Sequence, residues 1–118
     1  MRIISGSFKG KKILQPKDSN TRPLKDLTKE SIFNVINHSN KLSIQIEQSE
    51  VLDLFSGTGS FGIECLSRGA KYVTFVENYK EVLPILKKNL LNLNTLKNYK
   101  IIENNILNNF DFKSLNKQ

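Results

Sequence analysis

An acid, three glycines and a second acid stand close together in the middle of the chain: Asp53, then Gly57-x-Gly59-x-x-Gly62, then Glu77. Glycines let a backbone turn sharply and approach a ligand closely, and the start of a helix offers free N–H groups to negative charge. A carboxylate at the end of the following strand accepts the protons of both ribose hydroxyls. The pattern matches the dinucleotide fingerprint, and its physical needs are those of any adenosine ligand. Asp53 divides the candidates. In a nicotinamide or flavin fold the first strand is apolar up to the glycines, because a pyrophosphate lies there and an acid would repel it. An acid four residues ahead of Gly57 suits a ligand with positive charge and no phosphate. S-adenosylmethionine has that chemistry, with a sulfonium, an ammonium and an adenosine. Asp53 also suits a plainer role as a turn or capping residue.

The elements that must hold these residues are legible from pattern. Residues 51–55 form a compact apolar run containing one acid, residues 63–68 have helical spacing, and Gly69 stops them. Tyr72-Val73-Thr74-Phe75-Val76-Glu77 is β-branched and aromatic and predicts a second strand. Residues 80–93 carry Val82, Leu83, Leu86, Leu90 and Leu93 at helical spacing, with Pro84 early enough to be tolerated. A third strand is expected at 99–103. Strand, loop, helix, strand, helix, strand is a βαβαβ unit, which requires a parallel sheet. Ahead of it, residues 2–7 and 11–14 predict two short strands joined near Gly10, a basic hairpin. Pro16 to Pro23 read as a polar connection, and residues 27–36 as a helix with Asp26 as its N-cap. Residues 37–50 are ambiguous, a loop with a short strand at most. This divides the chain into a hairpin and helix, 1–37, and a nucleotide-type α/β region, 38–118.

With 118 residues the chain has the size of one domain, and its seven Phe among many Ile, Leu and Val are too many for a disordered one. No apolar run approaches the roughly 20 residues of a membrane span, and no secretory leader is visible, so a cytoplasmic location is the default expectation. The single cysteine, Cys65, makes no internal disulfide, and with His38 as the single histidine the usual zinc sites are excluded. Both read as structural residues, a small buried side chain and a helix-end residue. The net charge of +7 is unevenly spread, for residues 1–30 hold eight bases and three acids. That clustering is expected of a segment that meets a phosphate-rich partner. A genome poor in G and C would also enrich Lys, Asn and Ile.

Val51-Leu52-Asp53-Leu54-Phe55-Ser56-Gly57-Thr58-Gly59 resembles the first motif of class I methyltransferases. Nearly the whole chain resembles the bacterial RsmD family, which methylates the exocyclic N2 of a guanine in small-subunit ribosomal RNA. Gly6, Gly10 and the basic stretch to Leu14 resemble its N-terminal hairpin. Thr21-Arg22-Pro23 and Lys29-Glu30-Ser31-Ile32-Phe33-Asn34-Val35-Ile36 resemble its Arg-Pro and Lys-Glu-x-x-Phe-Asn signature, and residues 62–70 the helix after its glycine loop. The resemblance implies a Rossmann-like α/β fold, S-adenosylmethionine as cofactor and ribosomal RNA or the small subunit as partner. By position it implies that Gly57, Thr58 and Gly59 pass the cofactor's amino-acid portion, that Asp53 supports that end, and that Glu77 takes the ribose hydroxyls. The family's adenine-contacting Asp falls on Asn105, which accepts a hydrogen bond but lacks the charge. Lys9, Lys11, Lys12 and Arg22 would face RNA phosphate, although the same side chains also read as ordinary solvated surface lysines and arginine.

The family's chemistry uses an Asp/Asn-Pro-Pro-Tyr/Phe loop after a fourth strand, which holds a flipped base with its amine aimed at the methyl group. The prolines here are Pro16, Pro23 and Pro84, so that tetrapeptide does not occur, and Phe110-Asp111-Phe112 is the nearest approach to a fourth strand. The expectation is the cofactor-binding half of a longer enzyme, truncated after the third core strand, without turnover of its own. Its first strand would have an unpaired apolar edge open to self-association. Three other readings stay open: a fragment of a DNA amino-methyltransferase, a dinucleotide-dependent oxidoreductase, and a non-catalytic RNA-binding remnant.

Overall fold

The computed structural model describes residues 1–16, 26–38, 45–93 and 97–103. In chain order the elements are α1 (Asp26–His38), β1 (Glu50–Asp53), α2 (Ser60–Ser67), β2 (Tyr72–Val76), α3 (Leu83–Leu91) and β3 (Tyr99–Ile102). The three strands form one parallel sheet in the order β1-β2-β3, with Val51 opposite Val73 and Phe75 opposite Ile101. This is the expected Rossmann-like α/β arrangement. β2 lies in the middle, and Val73, Thr74, Phe75 and Val76 are all buried. That is why its sequence runs apolar on both faces rather than alternating.

Boundaries differ from the sequence expectation for local reasons. β1 ends at Asp53, and Leu54 and Phe55 enter the turn that leads to the glycines. α3 starts at Leu83 rather than at residue 80, with Pro84 in its first turn, where no intrahelical bond is lost. Among the described residues α1 begins at Asp26. His38 ends that helix and Cys65 is buried, as expected.

The hairpin is shorter than predicted: it narrows to one antiparallel bridge, Arg2 with Lys12, supported by Ile3 N–H to Lys11 C=O and Ile13 N–H to Met1 C=O, both 2.9 Å. Its first arm then leaves the ladder because its amides find other acceptors. Ile4 and Ser5 donate to the Glu64 carboxylate, and Ser7 to the Ser67 carbonyl. Gly6 permits this contact: its φ is +90°, and a Cβ there would lie 1.9 Å from the Ser67 carbonyl oxygen. Ile3, Ile13 and Phe33 thus join Val73, Phe75 and Leu86 in one core cluster. Side chains of this kind contribute about 1.5–3 kcal/mol each when fully buried.

Among the described residues β1 pairs with β2 alone, and beside it Leu52 is 40% and Phe55 77% exposed. No helix among the described residues is long and apolar enough to cross a membrane.

Candidate functional site at the glycine loop

The loop from Ser56 to Gly59 joins β1 to α2 and is held by its own backbone. Ser56 N–H donates to Val76 C=O at 3.2 Å, Gly59 N–H to Ser56 C=O at 2.8 Å, and Ile63 N–H to Gly59 C=O at 2.8 Å. Gly57 and Gly59 have φ values of +55° and +90°, a region that side chains other than glycine enter at a cost. The three glycines divide the work. A Cβ on Gly59 would lie 2.6 Å from Leu86 Cδ1, and one on Gly62 would lie 2.3 Å from the Phe75 ring, so both serve close packing of α2. Among the described residues a Cβ on Gly57 would meet nothing within 4 Å. Gly57 is therefore the glycine that faces open space, where a ligand can approach the backbone.

Glu77 follows the end of β2 and reaches back across the loop. Its Oε1 accepts the Gly57 N–H at 2.7 Å, while Oε2 accepts Tyr79 N–H at 3.0 Å and Asn78 N–H at 3.2 Å. The carboxylate is thereby oriented at the rim of the open space beside Gly57. Parallel pairing of β1 with β2 brings the ends of the two strands together, with Asp53 opposite Phe75.

Asp53 is the buried acid of the group. Its Oδ2 is buried and accepts no hydrogen bond from the described residues. Burial pushes its pKa from 3.8 up to about 6, and the Glu77 charge adds to this, although the Phe55 and Gly62 backbone N–H groups pull the other way. A buried acceptor without a donor is the kind of group that a cationic ligand satisfies, so the residues present fit a ligand with an ammonium and a ribose. Thr58 is buried and contributes its carbonyl to the structure rather than to the open side. Asn105 and Arg22 lie outside the described residues. Lys9, Lys11 and Lys12 are exposed on the hairpin, and Lys11 Nζ stands 5.5 Å from the centre of the Phe8 ring.

Two sets of buried polar residues were not singled out as site residues in the sequence. Glu64, on α2, is fully buried and accepts from Lys29 Nζ at 3.1 Å and Arg68 Nε at 2.9 Å, besides the Ile4 and Ser5 amides. Lys29 also donates to Arg2 C=O at 2.9 Å and Ser60 Oγ at 3.2 Å. Arg68 lies over the Phe33 ring at 4.3 Å. This sharpens the charge count: Lys29 is one of the eight bases in residues 1–30, but its charge is paired with Glu64 in the core. Asn89, on α3, donates through Nδ2 to Thr58 C=O at 2.9 Å and Leu14 C=O at 3.2 Å, and accepts Leu14 N–H at 2.8 Å. The signal was available in both cases as a polar residue on an apolar stripe: Lys29 shares a face with Phe33 and Ile36, and Asn89 with Val82, Leu86 and Leu93. Cys65 is inert, with burial the main reason that its thiol is pushed up to about 12. A cavity of about 430 Å³ is lined by none of Gly57, Gly59 and Gly62 but by Ser5, Gly6, Asn37, Gln45, Ile46, Glu47 and Arg68.

Known proteins resemble the chain over this same region. Ribosomal RNA small subunit methyltransferase D of Haemophilus influenzae is 46% identical over 93 residues, covering 79% of this chain and 45% of that protein. The protein of the same name from Buchnera aphidicola (subsp. Acyrthosiphon pisum) is 40% identical over 105 residues, 89% of this chain and 51% of its own length. The solved structure described as "Putative methyltransferase yhhF from Escherichia coli" superposes with a TM-score of 0.71 at 34% identity, covering 89% of this chain and 52% of that one. The chain spans about half the length of the curated relatives it matches. The family model described as "Conserved hypothetical protein 95" matches residues 1–118, and the chain accordingly belongs to this, the RsmD, family.

Proposed function

We propose that these residues form the S-adenosylmethionine-binding half of a methyltransferase that acts on a guanine N2 of small-subunit ribosomal RNA. The observation that carries the reading is the pairing of an open approach at Gly57 with two carboxylates of different character: Glu77, oriented by backbone donors, and Asp53, buried with one oxygen unpartnered. Glu77 would accept the ribose hydroxyls, Asp53 would face the cationic amino-acid end, and Gly57 would line its path, with Thr58 and Gly59 shaping the loop behind it. Asn105 would accept from the adenine amine. When bound, the cofactor supplies an electrophilic methyl group on a sulfonium centre. The relatives named as ribosomal RNA methyltransferases support the substrate class. Exposed Lys9, Lys11 and Lys12, together with Arg22, would neutralise RNA phosphates on an arm comprising residues 1–37.

Turnover needs a group that holds the target amine, and the Asp/Asn-Pro-Pro-Tyr/Phe tetrapeptide that would do so is not among these 118 residues. Binding of cofactor without methyl transfer is therefore the expected behaviour of the 118-residue chain. Isothermal titration with S-adenosylmethionine, S-adenosylhomocysteine and NADH, beside a methylation assay on small-subunit RNA, tests the reading. Binding of the first two and not the third is expected. Tight NADH binding alone would replace it with the oxidoreductase reading, and RNA affinity without any cofactor binding with that of an RNA-binding remnant.

A further inference from the structure

The glycine loop is not an independent unit, for Thr58 within it and Ser60 just after it are joined through buried side chains to the two ends of the basic hairpin. At one end Asn89 stands between Thr58 and Leu14, with one planar amide serving both segments: Nδ2 donates to Thr58 C=O and Leu14 C=O, and Oδ1 accepts Leu14 N–H. At the other end Lys29 Nζ donates to Ser60 Oγ and to Arg2 C=O, and Ser60 Oγ–H donates to Met1 Sδ at 2.9 Å. Arg2 and Lys12 are bridged, which closes the circuit. Asn89 is only 3% exposed, so water cannot replace a lost partner there. The Thr58 carbonyl lies between two glycines of positive φ, where the peptide plane is easily turned and the Asn89 donor is what holds it.

We propose that Asn89 is a positioning residue that carries the seating of the hairpin into the glycine loop, so that polyanion binding on Lys9, Lys11 and Lys12 and cofactor binding beside Gly57 are thermodynamically coupled. The inference rests on the reading above that the loop takes S-adenosylmethionine and the hairpin takes RNA. A planar amide cannot follow Leu14 and keep Thr58 at once, so displacement of the hairpin turns the loop peptide, and a ligand that orders the loop orders the hairpin. Coupling of this kind is reciprocal.

The test compares the wild-type chain with Asn89→Leu, which keeps the branch at Cγ and the number of side-chain heavy atoms and removes all three bonds, and with Leu14→Pro, which removes the hairpin's donor without touching the loop. Amide hydrogen exchange is measured at Gly57, Gly59, Ile3 and Ile13, with β2 amides as the internal control. S-adenosylhomocysteine is titrated with and without a short RNA hairpin. We expect RNA to tighten the wild-type titration by about fivefold or more, a typical lower bound for coupled sites, and the factor to fall to near one in both variants. Exchange at the loop and the hairpin is expected to accelerate together in Asn89→Leu, with β2 unchanged. A wild-type factor of one, a factor preserved in Asn89→Leu, or acceleration confined to one segment would overturn the proposal. Should the wild-type chain take no S-adenosylhomocysteine at all, the functional reading fails, while the exchange result still decides whether Asn89 joins the two segments.

Discussion

Glu77 accepts the amide N–H of Gly57 at 2.7 Å across 20 residues of chain. The acid at the end of β2 is thus part of the glycine loop's own structure before any ligand arrives. Its place in sequence suggested a ribose acceptor; its geometry adds that the acceptor is already oriented, with both oxygens engaged by backbone donors.

Substituting Glu77→Ala removes a charged acceptor from three N–H groups and from the ligand. A charge-assisted hydrogen bond contributes roughly 1.5–3 kcal/mol, so S-adenosylhomocysteine affinity should fall about 10- to 100-fold by isothermal titration. Glu77→Gln keeps one acceptor oxygen and should fall between wild type and alanine. Equal affinity in all three would remove Glu77 from the ligand site.

The glycines separate by readout. Gly62→Ala drives a methyl group to 2.3 Å from the Phe75 ring in the core and should cost about 1–3 kcal/mol in thermal or urea unfolding. Gly57→Ala meets no atom of the described residues within 4 Å and carries the cost of its positive φ, about 1–2 kcal/mol. Its methyl projects into the ligand approach, so its main effect should be lost binding. A Gly57→Ala chain that binds normally would close the argument against the open cradle.

Basic residues of the N-terminal segment should also divide into two classes. Lys29→Met leaves buried Glu64 with one ion-pair partner fewer and should destabilise by about 3–5 kcal/mol, read from urea midpoints. Lys9, Lys11 and Lys12 changed together to Gln should leave the melt within about 0.5 kcal/mol, since they are surface positions. The triple change should lower RNA affinity and flatten its dependence on log salt by about 0.7–0.9 per lysine. An unchanged salt slope would detach the hairpin from RNA.

Asp53 sets the pH dependence. Its folded-state pKa, about 6, lies above the ordinary 3.8, so the folded chain binds the proton more tightly than the unfolded chain. The group therefore favours folding most at low pH, and that contribution is lost as pH rises from about 4 to 6, by up to about 3 kcal/mol. Asp53→Asn should abolish this slope and raise stability at pH 7. Ligand binding should show the opposite trend: a cationic ligand needs the ionised acid, so affinity should weaken as pH falls below about 6. Parallel pH series of melting and titration check both signs.

Much of this was legible because it is local. The βαβαβ order follows from periodicity, and the loop's position from glycines between a strand and a helix, since both depend on neighbours a few residues apart. Asp53 was visible as an acid inside an apolar strand, and Glu77 as an acid ending the next one. What the sequence could not assign was the partner of each buried polar group. Lys29 counted as one of the eight bases in residues 1–30 until Glu64 met it from 35 residues further along the chain. Asn89 was one polar residue on a leucine stripe until Leu14 and Thr58 closed around it. Nor could spacing tell which glycine faces open space among the described residues, because Gly57, Gly59 and Gly62 differ only in what packs against them. Composition and pattern determined the elements and their order. Only packing across the fold decided which charges are solvated, which are paired, and which carboxylate keeps an unmet hydrogen bond, because desolvation is a property of the surroundings and not of the residue.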